Sequence, residues 1–231
     1  MARRRFFVPE VRRGLAELTG RDAEHLVRVL RAEAGQRYEI SDNRDVYLAE
    51  ITSARKSSVS FEVIEKLPPQ PESAATVLVV ALIKFDRFEW LVEKATELGV
   101  AEIRPFEAAR TERGLRQAAA KRVERWERIA FEASQQARRA HLPKFIPVSS
   151  AAEAFATAAR DKVMLDEDPG APPIGRTGGG VALLVGPEGG WTDEERRQAS
   201  EAGWRACSLG PTVLRTETAA VAGLAIAMRA E

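Results

Sequence analysis

The chain has 231 residues, 45% of them hydrophobic and 30% charged, and its 35 Lys+Arg against 34 Asp+Glu leave a formal net charge of +1. That length and apolar content support a buried core in one large or two small domains, and they exclude a disordered or collagen-like chain. The longest apolar stretch, residues 77–83, is too short to span a bilayer, and the start Met-Ala-Arg-Arg-Arg-Phe-Phe lacks the apolar run of a signal peptide, so a cytoplasmic location is expected.

Arg3, Arg4 and Arg5 open a basic segment in which Arg12 and Arg13 follow and Glu10 is the sole acid up to residue 13. Phe6 and Phe7 beside them suit either a strand core or a base-stacking platform. A helix is expected near residues 22–31, with Leu26, Val29 and Leu30 on one face. Residues 46–51 and 59–64 alternate with period two, which predicts strands. The first part of the chain therefore reads as a small, mostly β domain, expected over residues 1–70. The Pro-rich stretch Leu67-Pro-Pro-Gln-Pro-Glu-Ser73 resists helix and sheet alike and marks the linker.

Strands and helices alternate over the second domain, expected at 71–231. Residues 77–83 form a continuous apolar strand of the kind buried in a parallel sheet. Phe88, Leu91, Val92, Ala95 and Leu98 then recur at helical spacing, with Gly99 as a C-terminal cap. A strand is expected at 100–106 and a long helix at 117–139, with Val123, Trp126, Ala130, Ala133 and Ala137 inward. Further strands are expected at 145–148, 163–165, 181–185 and 205–209, and helices at 151–159, 193–202 and 217–229. Such alternation predicts an α/β fold with a largely parallel sheet. The near-neutral total hides a segregation of charge: residues 104–144 hold eleven Lys+Arg against five Glu, whereas 161–201 are acidic. Opposed charged regions are the pattern of a polyanion-binding face. The single Cys207 lies far in sequence from His25 and His141, so no metal site is expected.

Ligands of open α/β sheets bind beyond the carboxyl ends of strands, which directs attention to two loops. One is Gly186-Pro-Glu-Gly-Gly190, followed by Trp191 and by Thr192 with Glu195, a capping box that starts a helix. Its glycines let backbone approach a flat ligand, while Glu188 would repel a diphosphate, and the spacing matches neither a P-loop nor a dinucleotide fingerprint. A neutral or cationic cofactor bearing ribose hydroxyls fits such a loop, and S-adenosylmethionine is one. The other loop runs Gly210-Pro-Thr-Val-Leu-Arg-Thr-Glu-Thr-Ala219 into a helix of small residues suited to close packing. Thr216 and Glu217 have sufficient structural roles as cap and helix-dipole partner, but no dipole argument places a cation at Arg215.

These two loops resemble those of the SPOUT-class methyltransferases, in particular the RsmE-type family that methylates N3 of a uridine in small-subunit (16S) ribosomal RNA. Residues 184–190 and 209–219 carry the resemblance, supported by Lys94-Ala-Thr-Glu-Leu-Gly99, residues 132–139 and residues 25–31. It implies an N-terminal PUA-like β-barrel, a C-terminal α/β domain with a trefoil knot, and a homodimer. It also implies a cofactor pocket lined by Leu184, Gly186, Pro187, Glu188, Gly189, Gly190, Leu209, Gly210, Leu214, Thr218 and Ala219. The sequence departs from the family at Gln136-Ala-Arg-Arg139, where Arg139 is aligned with the family arginine and Arg138 with a spacer.

Uridine N3 must lose a proton before it attacks a methyl group, and charge spreads onto O2 and O4 as it does so. Arg215 is the expected charge stabiliser, Arg139 a helper and Glu217 the candidate base. RNA phosphates or bases are expected to meet Arg3, Arg4, Arg5, His25, Arg28, Arg31, Lys84, Arg113 and Arg138, with ribosomal RNA or the 30S subunit as partner. Alternatives are a SPOUT enzyme acting on transfer RNA and a noncatalytic RNA-binding assembly protein.

Overall fold

The structure is a computed structural model that describes residues 5–69, 76–168, 170–177 and 180–228. Arg3, Arg4, the end of the proline-rich linker and Arg229 lie outside the described residues. The chain divides into two compact units, Met1–Pro71 with Ser134–Leu142, and Glu72–Ala133 with Pro143–Glu231. Residues 134–142 thus join the N-terminal unit, which a boundary drawn at the proline-rich linker did not anticipate.

The first unit contains β1 (Arg5–Phe7), β2 (Val11–Arg12), β3 (Leu15–Thr19), α1 (Gly20–Arg28), β4 (Arg37–Ser41), β5 (Val46–Arg55) and β6 (Ser58–Lys66). Its sheet runs β1-β4-β5-β6-β3-β2, parallel only between β1 and β4. Period-two alternation buries Ala49, Ile51, Val59 and Phe61 under α1, whose Ala23 and Leu26 complete the core. Val29 and Leu30 do not share that face, because the helix stops at Arg28 and both are exposed. The stop is local: Arg31 adopts a left-handed φ of 51°, and the Ala32 N–H turns back to the Leu26 carbonyl. Phe6 and Phe7 are both buried, so they belong to the core rather than to a stacking platform.

Residues 134–142 are sewn to the β4–β5 turn. Asn43, at φ 65°, accepts from the Leu142 N–H through Oδ1 at 2.7 Å, and Ser41 Oγ donates to the Ala140 carbonyl at 2.7 Å. Glu39 of β4 is shared by Arg5, whose Nη2 lies 2.8 Å away, and by Arg138. Burial raises the Glu39 pKa, but the hydrogen bonds from the two guanidinium groups outweigh it and hold the carboxyl below its usual range.

The second unit contains β7 (Val77–Ala81), α2 (Phe85–Leu98), β8 (Glu102–Glu107), α3 (Leu115–Ala119), α4 (Val123–Gln136) up to Ala133, β9 (Lys144–Phe145), β10 (Ser149–Ser150), α5 (Ala151–Phe155), β11 (Asp161–Leu165), β12 (Val181–Val185), α6 (Asp193–Glu201), β13 (Arg205–Cys207) and α7 (Thr216–Ala227). All pairings in its sheet are parallel, in the order β10-β8-β7-β12-β11-β13, with β9 beside β8. Central β12 is buried along its whole length, as its unbroken Val-Ala-Leu-Leu-Val run requires. Gly99 caps α2 at φ 100° as expected. The long helix expected over 117–139 is instead α3 and α4, separated where the Lys121 and Arg122 N–H groups turn back to Ala118 and Ala119. Trp126, Ala130 and Ala133 do face inward from α4.

Candidate active site

Three consecutive strand ends build one cavity in the second unit. The ends of β11, β12 and β13 and the loops after them supply Leu165, Asp166 and Glu167, then Val185, Gly186, Pro187, Gly190 and Trp191, then Ser208, Leu209, Gly210, Thr212, Val213 and Leu214, and α7 closes it with Thr216 and Ala219. Its empty volume, open mouth included, is about 560 Å³.

The β12 loop is held in shape by its own residues. Trp191 is 3% exposed, stacks nearly parallel on Phe106, and donates from Nε1 to the Leu165 carbonyl at 2.8 Å. It is therefore packed as core at the helix start. A Cβ on Gly186 would fall 2.8 Å from the Trp191 ring, so the glycine is required by close approach. Thr192 and Glu195 form the expected capping box, and Glu195 Oε1 also accepts from the Ala109 N–H at 2.8 Å. The hydroxyl of Thr216, the first residue of α7 after an Arg215 N-cap, donates to the Gly186 carbonyl at 3.1 Å. Thr216 thus couples the two loops rather than capping its helix.

Gly186, Pro187, Gly190, Leu209, Gly210, Leu214 and Ala219 line the cavity. Leu184 is buried in the sheet core, and the Gly189 carbonyl accepts from Arg110 Nη1 at 2.8 Å. Glu188 is not a lining residue, since its carboxylate meets Arg87 of α2. The carboxylates that do line the cavity are Asp166 and Glu167, on a loop that neither motif singles out. The strand-end rule alone points to them, as they follow the apolar end of β11 directly.

Side chains at the start of α7 face two ways. Thr216 and Ala219 face the cavity, whereas Arg215, Glu217 and Thr218 line an adjacent cleft with Asp86, Arg87 and Trp90 of α2. Glu217 is 8% exposed, and its buried Oε2 has no hydrogen-bond partner among the described residues. Its Oε1 lies 3.9 Å from Arg87 Nε. Arg87 therefore stands between the carboxylates of the two loops, a role no motif signalled. Arg139 lines neither cavity; it belongs to the first unit, where burial pushes its pKa down to about 10 and leaves it charged at neutral pH.

The expected RNA-binding residues separate on exposure. Arg28, Arg31, Lys84 and Arg113 are exposed and His25 is partly so. Arg5 is not a surface cation: it is 2% exposed and its guanidinium is spent on Glu39. Arg138 shares that carboxylate. The basic excess of 104–144 is also partly neutralised in space, because Arg104 pairs with Glu102, and Arg122 and Arg125 pair with Glu89. Among the described residues no group of three or more His, Cys, Asp or Glu is placed to hold a metal ion, and no helix is long and apolar enough to cross a membrane.

Comparison with known proteins fits this geometry. Residues 70–228 match the RNA methyltransferase domain family and residues 18–64 the RNA methyltransferase PUA domain family. The ribosomal RNA small subunit methyltransferase E of Bacillus subtilis is 33% identical over 93% of this chain and 92% of its own. The chain belongs to the ribosomal RNA small subunit methyltransferase E family. Its Aquifex aeolicus relative is 29% identical over 96% of this chain and 98% of its own. The crystal structure of the Neisseria gonorrhoeae member, bound to S-adenosyl methionine, superposes with a TM-score of 0.87 at 30% identity, covering 96% of this chain and 95% of that one. A Legionella pneumophila methyltransferase in complex with the same cofactor superposes with a TM-score of 0.85 at 30% identity, covering 97% and 96%.

Proposed function

We propose that this chain uses S-adenosylmethionine to methylate N3 of a uridine in 16S ribosomal RNA, working in the cytoplasm as a homodimer. The carrying observation is the cavity's lining: glycine backbone, apolar walls and the carboxylate of Glu167 beside an Asp166 already paired with Arg196, with no Lys or Arg among its described lining residues. A diphosphate would need the opposite charge, so this set fits a cofactor with an uncharged adenosine and a cationic amino-acid tail. When bound, that cofactor supplies an electrophilic methyl group on a sulfonium.

Arg215 and Glu217 supply what the acceptor base needs. Glu217 is the base of this reading, taking the N3 proton, and its buried Oε2 without a hydrogen-bond partner among the described residues supports that role. Arg215, exposed at the N-cap of α7 in the same cleft, presents planar donors to the O2 and O4 charge that follows. Arg87 Nε lies 3.9 Å from the other oxygen of Glu217, Oε1. Uridine N3 lies on the pairing edge, so the base must be unpaired or flipped to reach this cleft. Exposed Trp90 borders the same cleft and is a surface that a second copy would cover in the dimer. The trefoil knot implied by the resemblance, and the RNA-binding role of the first unit, belong to the same reading.

Methyl-transfer kinetics test it. Arg215→Ala is expected to lower the transfer rate on small-subunit RNA about 100-fold, the scale of one lost charge-stabilising donor, with calorimetric cofactor affinity unchanged. Glu217→Gln should lower the rate in a way that higher pH partly restores. Unchanged rates in both variants would remove these residues from the chemistry.

A further inference from the structure

Glu167 is the feature of the cavity that neither the mechanism nor its scaffold uses. It follows β11, the parallel neighbour of β12, with Asp161 to Met164 opposite Val181 to Leu184. A Cβ built on Gly190 would lie 3.0 Å from Glu167 Oε1, so the carboxylate abuts the last glycine of the β12 loop. Its neighbour Asp166 is a clamp, not a ligand: Arg196 of α6 donates Nε to Oδ2 at 2.8 Å and Nη2 to Oδ1 at 3.1 Å. Arg196 Nη1 also donates to the Trp191 carbonyl at 3.1 Å, which fixes the β11 and β12 loops to each other. The Glu167 carboxylate is attracted electrostatically to Arg196 but, unlike Asp166, accepts no side-chain hydrogen bond from it. The lining hydroxyls of Ser208 and Thr216 are already committed to the Gly210 and Gly186 carbonyls. Of the two lining carboxylates, Glu167 is therefore the one whose oxygens are not held by the Arg196 guanidinium through hydrogen bonds.

A glycine loop after one parallel strand and an acid at the end of the next is the arrangement by which doubly wound folds hold a ribose, the carboxylate accepting from its hydroxyls. We infer that Glu167 is the ribose anchor of this cavity, accepting hydrogen bonds from the cofactor's 2′- and 3′-hydroxyls, an inference that rests on the S-adenosylmethionine reading. The glycine at 190 lets the carboxylate sit against the backbone of the β12 loop.

Calorimetric titration of the full chain with S-adenosylhomocysteine, 5′-methylthioadenosine and 2′-deoxy-S-adenosylhomocysteine tests it. Losing a charge-assisted hydrogen bond should weaken binding about tenfold, so Glu167→Gln is expected to lose that factor for S-adenosylhomocysteine and equally for methylthioadenosine, which has no amino-acid tail. For the deoxy ligand, which keeps only the 3′-hydroxyl, the wild type should already be weakened, and Glu167→Gln should add a smaller loss than it does for S-adenosylhomocysteine. A loss confined to S-adenosylhomocysteine would place the carboxylate at the amino-acid tail and overturn the ribose assignment. An undiminished affinity, or an equal loss for the deoxy ligand, would overturn it as well. Wild-type chain that binds none of the three would instead remove the cofactor reading beneath it. Glu167 is exposed, so the variant should keep the wild-type circular dichroism and thermal midpoint.

Discussion

Gly186 has no room for a side chain, and the residue in its way cannot easily yield. Trp191 is fixed by its bond to Leu165 and by stacking on Phe106. Gly186→Ala is expected to cost about 1–3 kcal/mol of stability by overpacking, read from urea unfolding, and to weaken cofactor binding because the same loop must shift. The Asp166–Arg196 pair has a pH signature. Burial raises the Asp166 pKa, but the Arg196 hydrogen bonds and the Asp168 N–H outweigh it and hold the carboxyl below its ordinary value of about 3.9. A lowered folded pKa gives stability that is present above the unfolded value and lost as pH falls through the folded one. Arg196→Ala should therefore lose stability at neutral pH and show a shallower loss below about pH 4 than the wild type does. Parallel unfolding curves for the two proteins across that range would contradict the clamp.

At the scale of elements, the small-residue helix α7 owes its position to Gly223. A Cβ there would lie 2.9 Å from Leu165 Cδ1 and 3.0 Å from Leu183 Cδ2, so the helix rides directly on β11 and β12. Gly223→Val should lower the thermal midpoint by roughly 2–12 °C, the shift a cost of about 1–3 kcal/mol gives in a chain of this size. A midpoint within error of the wild type would show that α7 sits further from the sheet. Elements with strong periodicity were legible from sequence, as α2 with its Gly99 cap and β12 with its unbroken apolar run show. Those decided by a turn were not. Arg31 ends α1 from a left-handed φ that a non-glycine residue does not announce, and the break between α3 and α4 falls in a stretch of Ala, Lys and Arg that favours helix throughout.

For the whole molecule, charge counted along the sequence was a poor guide to charge in space. Arg5 and Arg138 both spend their charge on Glu39, and Arg125 spends its own on Glu89 of α2, an acid outside the basic stretch 104–144. The site was legible where backbone needs dictate residue type, as at Gly186, Gly190 and Gly210. It was not legible where one side chain chooses among partners, as Glu188 does in meeting Arg87 instead of the cavity. Arg28 and Arg113 are exposed, as are Arg31 and Lys84, and the proposed RNA-binding role can be tested on the first two. Arg28→Gln with Arg113→Gln should weaken RNA binding, measured by fluorescence anisotropy. The logarithmic salt slope should flatten by about 0.7 for each phosphate of single-stranded RNA left without its arginine. A slope equal to the wild type would take these residues out of the RNA surface.

Methyl transfer itself is the most direct test. Purified chain, S-adenosylmethionine carrying a labelled methyl group, and unmodified small ribosomal subunits or their free RNA should yield one labelled nucleoside, resolved by mass spectrometry as 3-methyluridine from 16S RNA. No label in ribosomal RNA, or label on another atom or another RNA class, would contradict the proposed reaction.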